Sequence, residues 1–281
     1  MTVLPDRRLN AYRPDLAEEA LRGLVPAERY VAGTPARVAL PVAALRPRPD
    51  PAAGIDTELL YGETVRVLER ADGWAWVKSD FDGYVGYLPE PALGEPGRPA
   101  THVVAVPRTF AYSGADLKTP AAFALSMGSR LTVIGESKAR GTRYLTLDGG
   151  LSVAAAHCLP TGDMSDGDYV SVAARFLETP YLWGGRSGFG IDCSGLVQLS
   201  MMMTGRTAPR DSDMQAAGLG TAIDRDALRR GDLVFWKGHV AIMEDERTIL
   251  HANGHTMSVA REGLESVFFL LAIFQQSPDA L

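Results

Sequence analysis

The stretch Gly184-Gly185-Arg186-Ser187-Gly188-Phe189-Gly190-Ile191-Asp192-Cys193-Ser194-Gly195 decides how the chain is read. A glycine-rich loop ends at Asp192, a residue type that favours the N-cap of a helix. Cys193 then falls in the first helical turn, and the helix runs to about Met203, stopped by Gly205. Unpaired backbone N–H groups and the positive end of the helix dipole favour a thiolate at that position. Gly195 keeps the approach to the sulfur open. Cys193 is therefore a candidate nucleophile, set against the plainer reading of a cysteine as a small buried hydrophobe.

A thiol nucleophile needs a base, normally a histidine. Five histidines are present: His102, His157, His239, His251 and His255. Two of them fit a hairpin. Gly238-His239-Val240-Ala241-Ile242-Met243 reads as one strand and Thr248-Ile249-Leu250-His251-Ala252 as its return, with Glu244-Asp245-Glu246-Arg247 between. A turn centred on Asp245 sets His239 directly across from His251, at the short Cβ separation of opposed residues. His239 would then face the sulfur while His251 orients its ring from behind. A one-residue slip would put the rings on opposite faces. His102, His157 and His255 read as structural. Cys158 follows His157 without other nearby ligands. A zinc site from Cys193, His239 and His251 is chemically possible, but no local Cys-x-x-Cys or His-x-x-x-His spacing supports it.

Outward from this centre the chain changes character. Residues 161–281 read as an α+β domain. Tyr169, Val172, Ala173, Phe176 and Leu177 mark an amphipathic helix ending before Pro180. After the Cys193 helix and a polar loop come strands at Asp232 to Trp236, His239 to Glu244, Thr248 to Ala252 and Val267 to Phe274. Residues 36–95 read as a small β-barrel. Short runs such as Thr64 to Leu68, Trp74 to Lys78 and Tyr84 to Leu88 are separated by turns at Asp72-Gly73 and Asp82-Gly83. Residues 96–160 repeat the theme more faintly, and Gly94 to Pro99 is the linker. Residues 1–35 form an arm that packs on a domain, with a short helical signal at Leu16, Ala17, Ala20 and Leu21.

Composition bounds the function. Of 281 residues, 46% are hydrophobic and 22% charged, with a formal net charge of -6. That suits a globular chain and argues against a nucleic-acid binder, for which a basic stripe is expected. No apolar run approaches the roughly 20 residues of a membrane helix. The opening Met1 to Arg8 has no apolar core of a secretory leader. With only two cysteines, a disulfide framework is not the design. These features together lead to the expectation of a reducing, cytoplasmic setting, where a thiol stays active.

Beyond these readings, the sequence resembles the NlpC/P60 family of cell-wall peptidases. The matching segments are Pro180 to Gly185, Gly190 to Val197, Pro209-Arg210-Asp211-Ser212, Arg230 to Trp236 and Gly238 to Ile242, in the family's order. The front half resembles the bacterial SH3-like (SH3b) domains that precede this peptidase in one branch, the cytoplasmic γ-D-glutamyl-L-diamino-acid endopeptidases of the YkfC type, also called dipeptidyl-peptidase VI. Thr57 to Glu63 and Asp82 to Tyr87 carry that likeness. The resemblance implies a multidomain chain of two small SH3-like β-barrels followed by a papain-like α+β NlpC/P60 domain. Carried over, Cys193 is the nucleophile, His239 the base and His251 the third residue.

The implied reaction is hydrolysis of the γ-D-glutamyl–diamino acid bond of murein peptides with a free N-terminal L-Ala, in cell-wall peptide recycling. In the family, residues matching Asp192, Ser194 and Ser212 line the substrate site. A carboxylate near the free amino group gives a charge-assisted bond. Glu58 or Glu63, with Tyr84, would close that end, and Trp183 would form an apolar wall. No metal or cofactor is expected. The expected partner is a murein tripeptide or related small peptide, with no nucleic acid and no membrane. Nothing in the sequence speaks to oligomeric state. The alternatives are a non-catalytic muropeptide-binding protein, or a thiol amidase or acyltransferase on the same fold.

Overall fold

The computed structural model describes residues 4–164 and 167–266. The expected strand at Val267 to Phe274 lies outside the described residues. Two compact units are present. The first comprises the described residues up to Asp163 together with Trp183–Gly188, and the second takes in the rest. Among the described residues no helix is long and apolar enough to cross a membrane.

The first unit holds two β-domains with separate cores. In the first β-domain a five-stranded sheet runs, in spatial order, Val85–Pro89, Trp74–Ser79, Thr64–Ala71, Thr34–Val38 and Leu93–Gly94. A hairpin of Val42–Leu45 and Thr57–Leu60 completes it. Asp72 and Gly73 link Ala71 to Trp74 with φ of 51° and 78°, the two positive values that a tight two-residue hairpin turn demands. Val38, Leu45, Leu59, Val65, Val77, Tyr84 and Leu88 fill the interior. The second β-domain orders Ala121–Ser126, Arg108–Tyr112, Ser152–Ala154, Thr142–Leu147 and Val133–Ala139. Its core is Val104, Ala111, Leu125, Leu131, Leu145, Leu147, Val153 and Cys158.

The arm packs on the first β-domain, but its helical signal is not realised. Leu16–Glu18 is a strand in parallel register with Arg29–Val31, followed by one 3₁₀ turn at Glu19–Leu21. The cause is visible in the burial. Leu16 packs with Leu68, Trp76 and Val85, whereas Ala17 packs with Tyr12, Leu21 and Val25. Neighbouring side chains thus serve opposite faces, as a strand requires and a helix does not.

In the second unit, helix α1 (Tyr169–Ala174) is capped by Asp168, whose carboxylate accepts from Val170 N. It is shorter than the periodicity suggests, because the chain turns through Glu178 at a φ of 66° before Pro180. Helix α2 (Cys193–Met202) is buried at all ten positions, so it has no solvent face. A further short helix, α3 (Ser212–Gly218), lies where a polar loop was expected. Four antiparallel strands follow in simple sequential order: β1 (Leu233–Trp236), β2 (His239–Met243), β3 (Thr248–Asn253) and β4 (Ser258–Gly263). α2 packs against β2 and β3. The strand β4 was not expected; Ser258 to Gly263 includes two charged residues and a glycine and lacks a clear alternation.

The β2–β3 register corrects the sequence reading. Ile242 pairs with Leu250 and Met243 with Ile249, so the turn is centred on Glu246 rather than Asp245. Extended outward, that register sets His239 opposite Asn253. The two histidines are therefore diagonal rather than directly opposed. A shift of two residues keeps both rings on one face, which is why the predicted contact survives it.

Candidate active site

Asp192 adopts the extended backbone of an N-cap and its Oδ1 accepts from Gly195 N at 2.7 Å. The cap starts α2 at Cys193, which is 6% exposed. Around the sulfur two influences oppose each other. Burial and the Asp192 charge push the Cys193 thiol up to about 11, while the backbone N–H groups of Val240 and Ser194 lean towards the anion. Burial wins, so the free site holds a thiol, not the thiolate that the helix start alone suggests.

The Val240 N–H that reaches the sulfur belongs to β2 and directly follows His239. His239 Nε2 is 2.8 Å from His251 Nδ1, with the rings 5.1 Å apart and inclined by 70°. Burial and the neighbouring His251 lower His239 to about 4, partly offset by Asp192. His251 is 3% exposed and is likewise lowered by burial, while Glu262 works the other way. All three shifts favour the uncharged thiol and imidazoles.

Asp192 has a second task. Arg210, 1% exposed, donates from Nη1 to Asp192 Oδ1 at 3.0 Å and from Nη2 to Oδ2 at 2.7 Å. Arg210 Nη1 also donates to Ser194 Oγ at 2.9 Å. This two-pronged pair neutralises the carboxylate beside the nucleophile. Gln215 of α3 secures the same corner by donating to Ser194 O and Pro209 O. Ser212 opens α3, two residues after Arg210. Tyr181, half-buried, senses Cys193, Asp192 and Arg210 electrostatically, and burial raises its phenol to about 12. Its hydroxyl therefore keeps its proton at neutral pH. Arg210, Gln215, Tyr181, Asn253 and Glu262 had no role in the sequence reading. Arg210 and Tyr181 lay inside the quoted motifs; Glu262 gave no signal there, because its strand was not recognised.

The remaining candidates belong to the first unit. Tyr84 is 4% exposed in the barrel core. Glu58 and Glu63 are buried against Arg186, itself 0% exposed. Arg186 N donates to Glu58 Oε2 at 2.9 Å, Arg186 Nε to Glu58 O at 3.0 Å and Arg186 Nη2 to Glu63 Oε2 at 2.5 Å. Glu63 Oε2 also accepts from Leu60 N. Trp183 is 70% exposed. Among the described residues, no group of three or more His, Cys, Asp or Glu side chains is placed to hold a metal ion.

Cysteine, base and a second polar residue behind the base are the arrangement by which thiol hydrolases pass an acyl group to water. Comparison with known families gives that class its place. Residues 178–270 match the NlpC/P60 family, and residues 45–93 match the bacterial dipeptidyl-peptidase Sh3 domain. The chain carries an NlpC/P60 cysteine-peptidase domain preceded by an SH3-like domain of that type. It is 27% identical to a gamma-D-glutamyl-L-lysine dipeptidyl-peptidase of Bacillus cereus, over 70% of this chain and 67% of that one. It is 31% identical to the protein of the same name from Bacillus subtilis, over 65% of this chain and 64% of that one. The matches thus span about two thirds of these relatives' length. In fold the chain is similar to the crystal structure of an NlpC/P60 family protein from Bacillus cereus, with a TM-score of 0.71, 22% identity, and 88% and 96% of the two chains covered.

Proposed function

We propose that the protein hydrolyses the γ-D-glutamyl–diamino acid bond of murein peptides bearing a free N-terminal L-Ala, in cell-wall peptide recycling. The observation that carries the reading is the 2.8 Å contact of His239 with His251 on the strand pair that packs against the Cys193 helix. The names of the two relatives supply the bond type. In this reading Cys193 gives its proton to His239 as the sulfur attacks the γ-glutamyl carbonyl carbon. His239 passes that proton to the departing amine, leaving a thioester. A water molecule, deprotonated by His239, then attacks the thioester, and the thiol leaves with the proton restored.

The Cys193 backbone N–H and the Tyr181 hydroxyl are the donors we assign to the oxyanion. Asp192, Ser194 and Ser212 line the substrate's amino end beside the nucleophile. Two free thiols, Cys158 and Cys193, suit a reducing compartment such as the cytoplasm.

The test is incubation with L-Ala-γ-D-Glu-meso-diaminopimelate and its L-lysine counterpart. Release of the free diamino acid that vanishes in Cys193→Ala is the expected result. Tight binding without turnover would instead mark a muropeptide-binding protein. Transfer of the acyl group to an added amine in preference to water would mark an acyltransferase.

A further inference from the structure

The catalytic pair does not end at His251. Its far nitrogen, Nε2, lies 2.7 Å from Glu262 Oε2. Glu262 stands on β4, where Ala260 is the residue paired with His251, so the carboxylate reaches the ring diagonally across the ladder. Asn253 adds a second donor: its Nδ2 is 3.3 Å from the same Oε2. The orientation of that amide is fixed from its other side, because Asn253 Oδ1 accepts from His255 N at 2.9 Å and Thr256 N at 2.8 Å. Asn253 therefore presents its NH₂ to the ring–carboxylate pair, 3.2 Å from His251 Nε2 and 3.3 Å from Glu262 Oε2.

We propose that Glu262, held by Asn253, is a positioning residue that sets the tautomers of both histidines. The inference rests on the hydrolase reading given above. An ionised carboxylate only accepts hydrogen bonds, so His251 must carry its proton on Nε2. Its Nδ1 is then a bare acceptor, and the 2.8 Å contact requires His239 to donate from Nε2. His239 Nδ1 is left without a proton, as the base for the thiol must be. One carboxylate thus dictates, through two rings, which nitrogen can take the Cys193 proton. Glu262 keeps 20% of its side-chain surface exposed, whereas His251 keeps 3%, so the ring that the carboxylate holds is shielded from water that would scramble its tautomer.

The experiment uses the full chain labelled with ¹⁵N-histidine. Two-bond ¹⁵N–¹H correlation distinguishes protonated from bare ring nitrogens. The wild type should show His251 protonated only on Nε2 and His239 only on Nε2. Glu262→Gln, whose carbonyl can still accept from both donors, should keep those tautomers. Glu262→Leu should mix them and lower kcat roughly 10- to 100-fold with little change in KM, a part of the 10²–10⁴ that positioned acid–base catalysis supplies. Unchanged tautomers and kcat in Glu262→Leu would overturn the proposal while leaving the hydrolase reading intact. Tautomers that respond as stated in a chain that cleaves no peptide would instead sink the hydrolase reading alone. Should the leucine variant not fold, a wild type with His251 protonated on Nδ1 overturns the proposal by itself.

Discussion

Cys193 is poised between a helix start that invites a thiolate and a burial that forbids one. The direction can be tested by alkylation. With the thiol pushed up to about 11 and His239 down to about 4, iodoacetamide should react faster with each rise in pH from 6 to 9. A rate already level at pH 6 would mean a resting thiolate–imidazolium pair. Asp192 supplies a second handle, since its charge is among the causes of the raised value. Asp192→Asn keeps an oxygen for the Gly195 N–H but removes the negative charge while the Arg210 guanidinium stays. The thiol should then ionise at lower pH and alkylate faster at pH 7, with the whole profile displaced towards acid. An unmoved profile would show that the carboxylate has no electrostatic hold on the nucleophile.

The elements differ in how plainly the sequence announces them. β2 and β3 were readable because Val240 to Met243 and Ile249 to Ala252 are apolar runs bounded by polar turns. Their register was not, since Glu244, Asp245, Glu246 and Arg247 offer several equivalent turn centres. The histidine pair was nonetheless foreseen, because a two-residue error in register leaves the facing side unchanged. β4 and α3 were illegible for another reason: their side chains answer to tertiary partners rather than to a period. Gln215 shows this for α3. It is 0% exposed in a segment that reads as polar, because it donates to Ser194 O and Pro209 O. Gln215→Leu should therefore lower stability by about 1–3 kcal/mol through the carbonyls left short of a donor. Urea unfolding monitored by circular dichroism checks it, and a midpoint equal to the wild type would refute the bracing role.

At the scale of the molecule the two β-domains and the peptidase domain were legible in outline, and the residues that finish them were not. The glycine-rich segment is the clearest case. Read from sequence it is the approach to Cys193. In the structure Gly184, at a φ of 75°, lies so close to Ile55 O that a Cβ would come within 2.4 Å of it, and a Cβ on Gly188 would meet Pro107 O at 2.1 Å. Gly188 N donates to Ser126 Oγ. Between these glycines, Arg186 fills a buried place beside Glu58 and Glu63. Arg186→Met should cost the first unit on the order of 3–5 kcal/mol, the usual penalty for stranding one partner of a buried ion pair. Joining it to Glu63→Leu should recover part of that loss, because the double variant no longer buries the Glu63 carboxylate without its guanidinium partner. Guanidinium denaturation of the single and double variants decides between this and a dispensable contact, for which both would unfold with the wild type.

Arg186 also sets where this chain can be divided. No single cut separates its working parts, because six residues of the peptidase stretch complete the fold of what precedes them. A gene fragment beginning at Met164 would encode a segment shaped for acceptors it no longer has, with a guanidinium and two close-packed glycines turned out to water. Recombination that hands this peptidase to a new host would meet the same constraint. The front domains and the catalytic one are inherited as a set, and an exchange that keeps only the catalytic half must also rewrite Gly184 to Gly188.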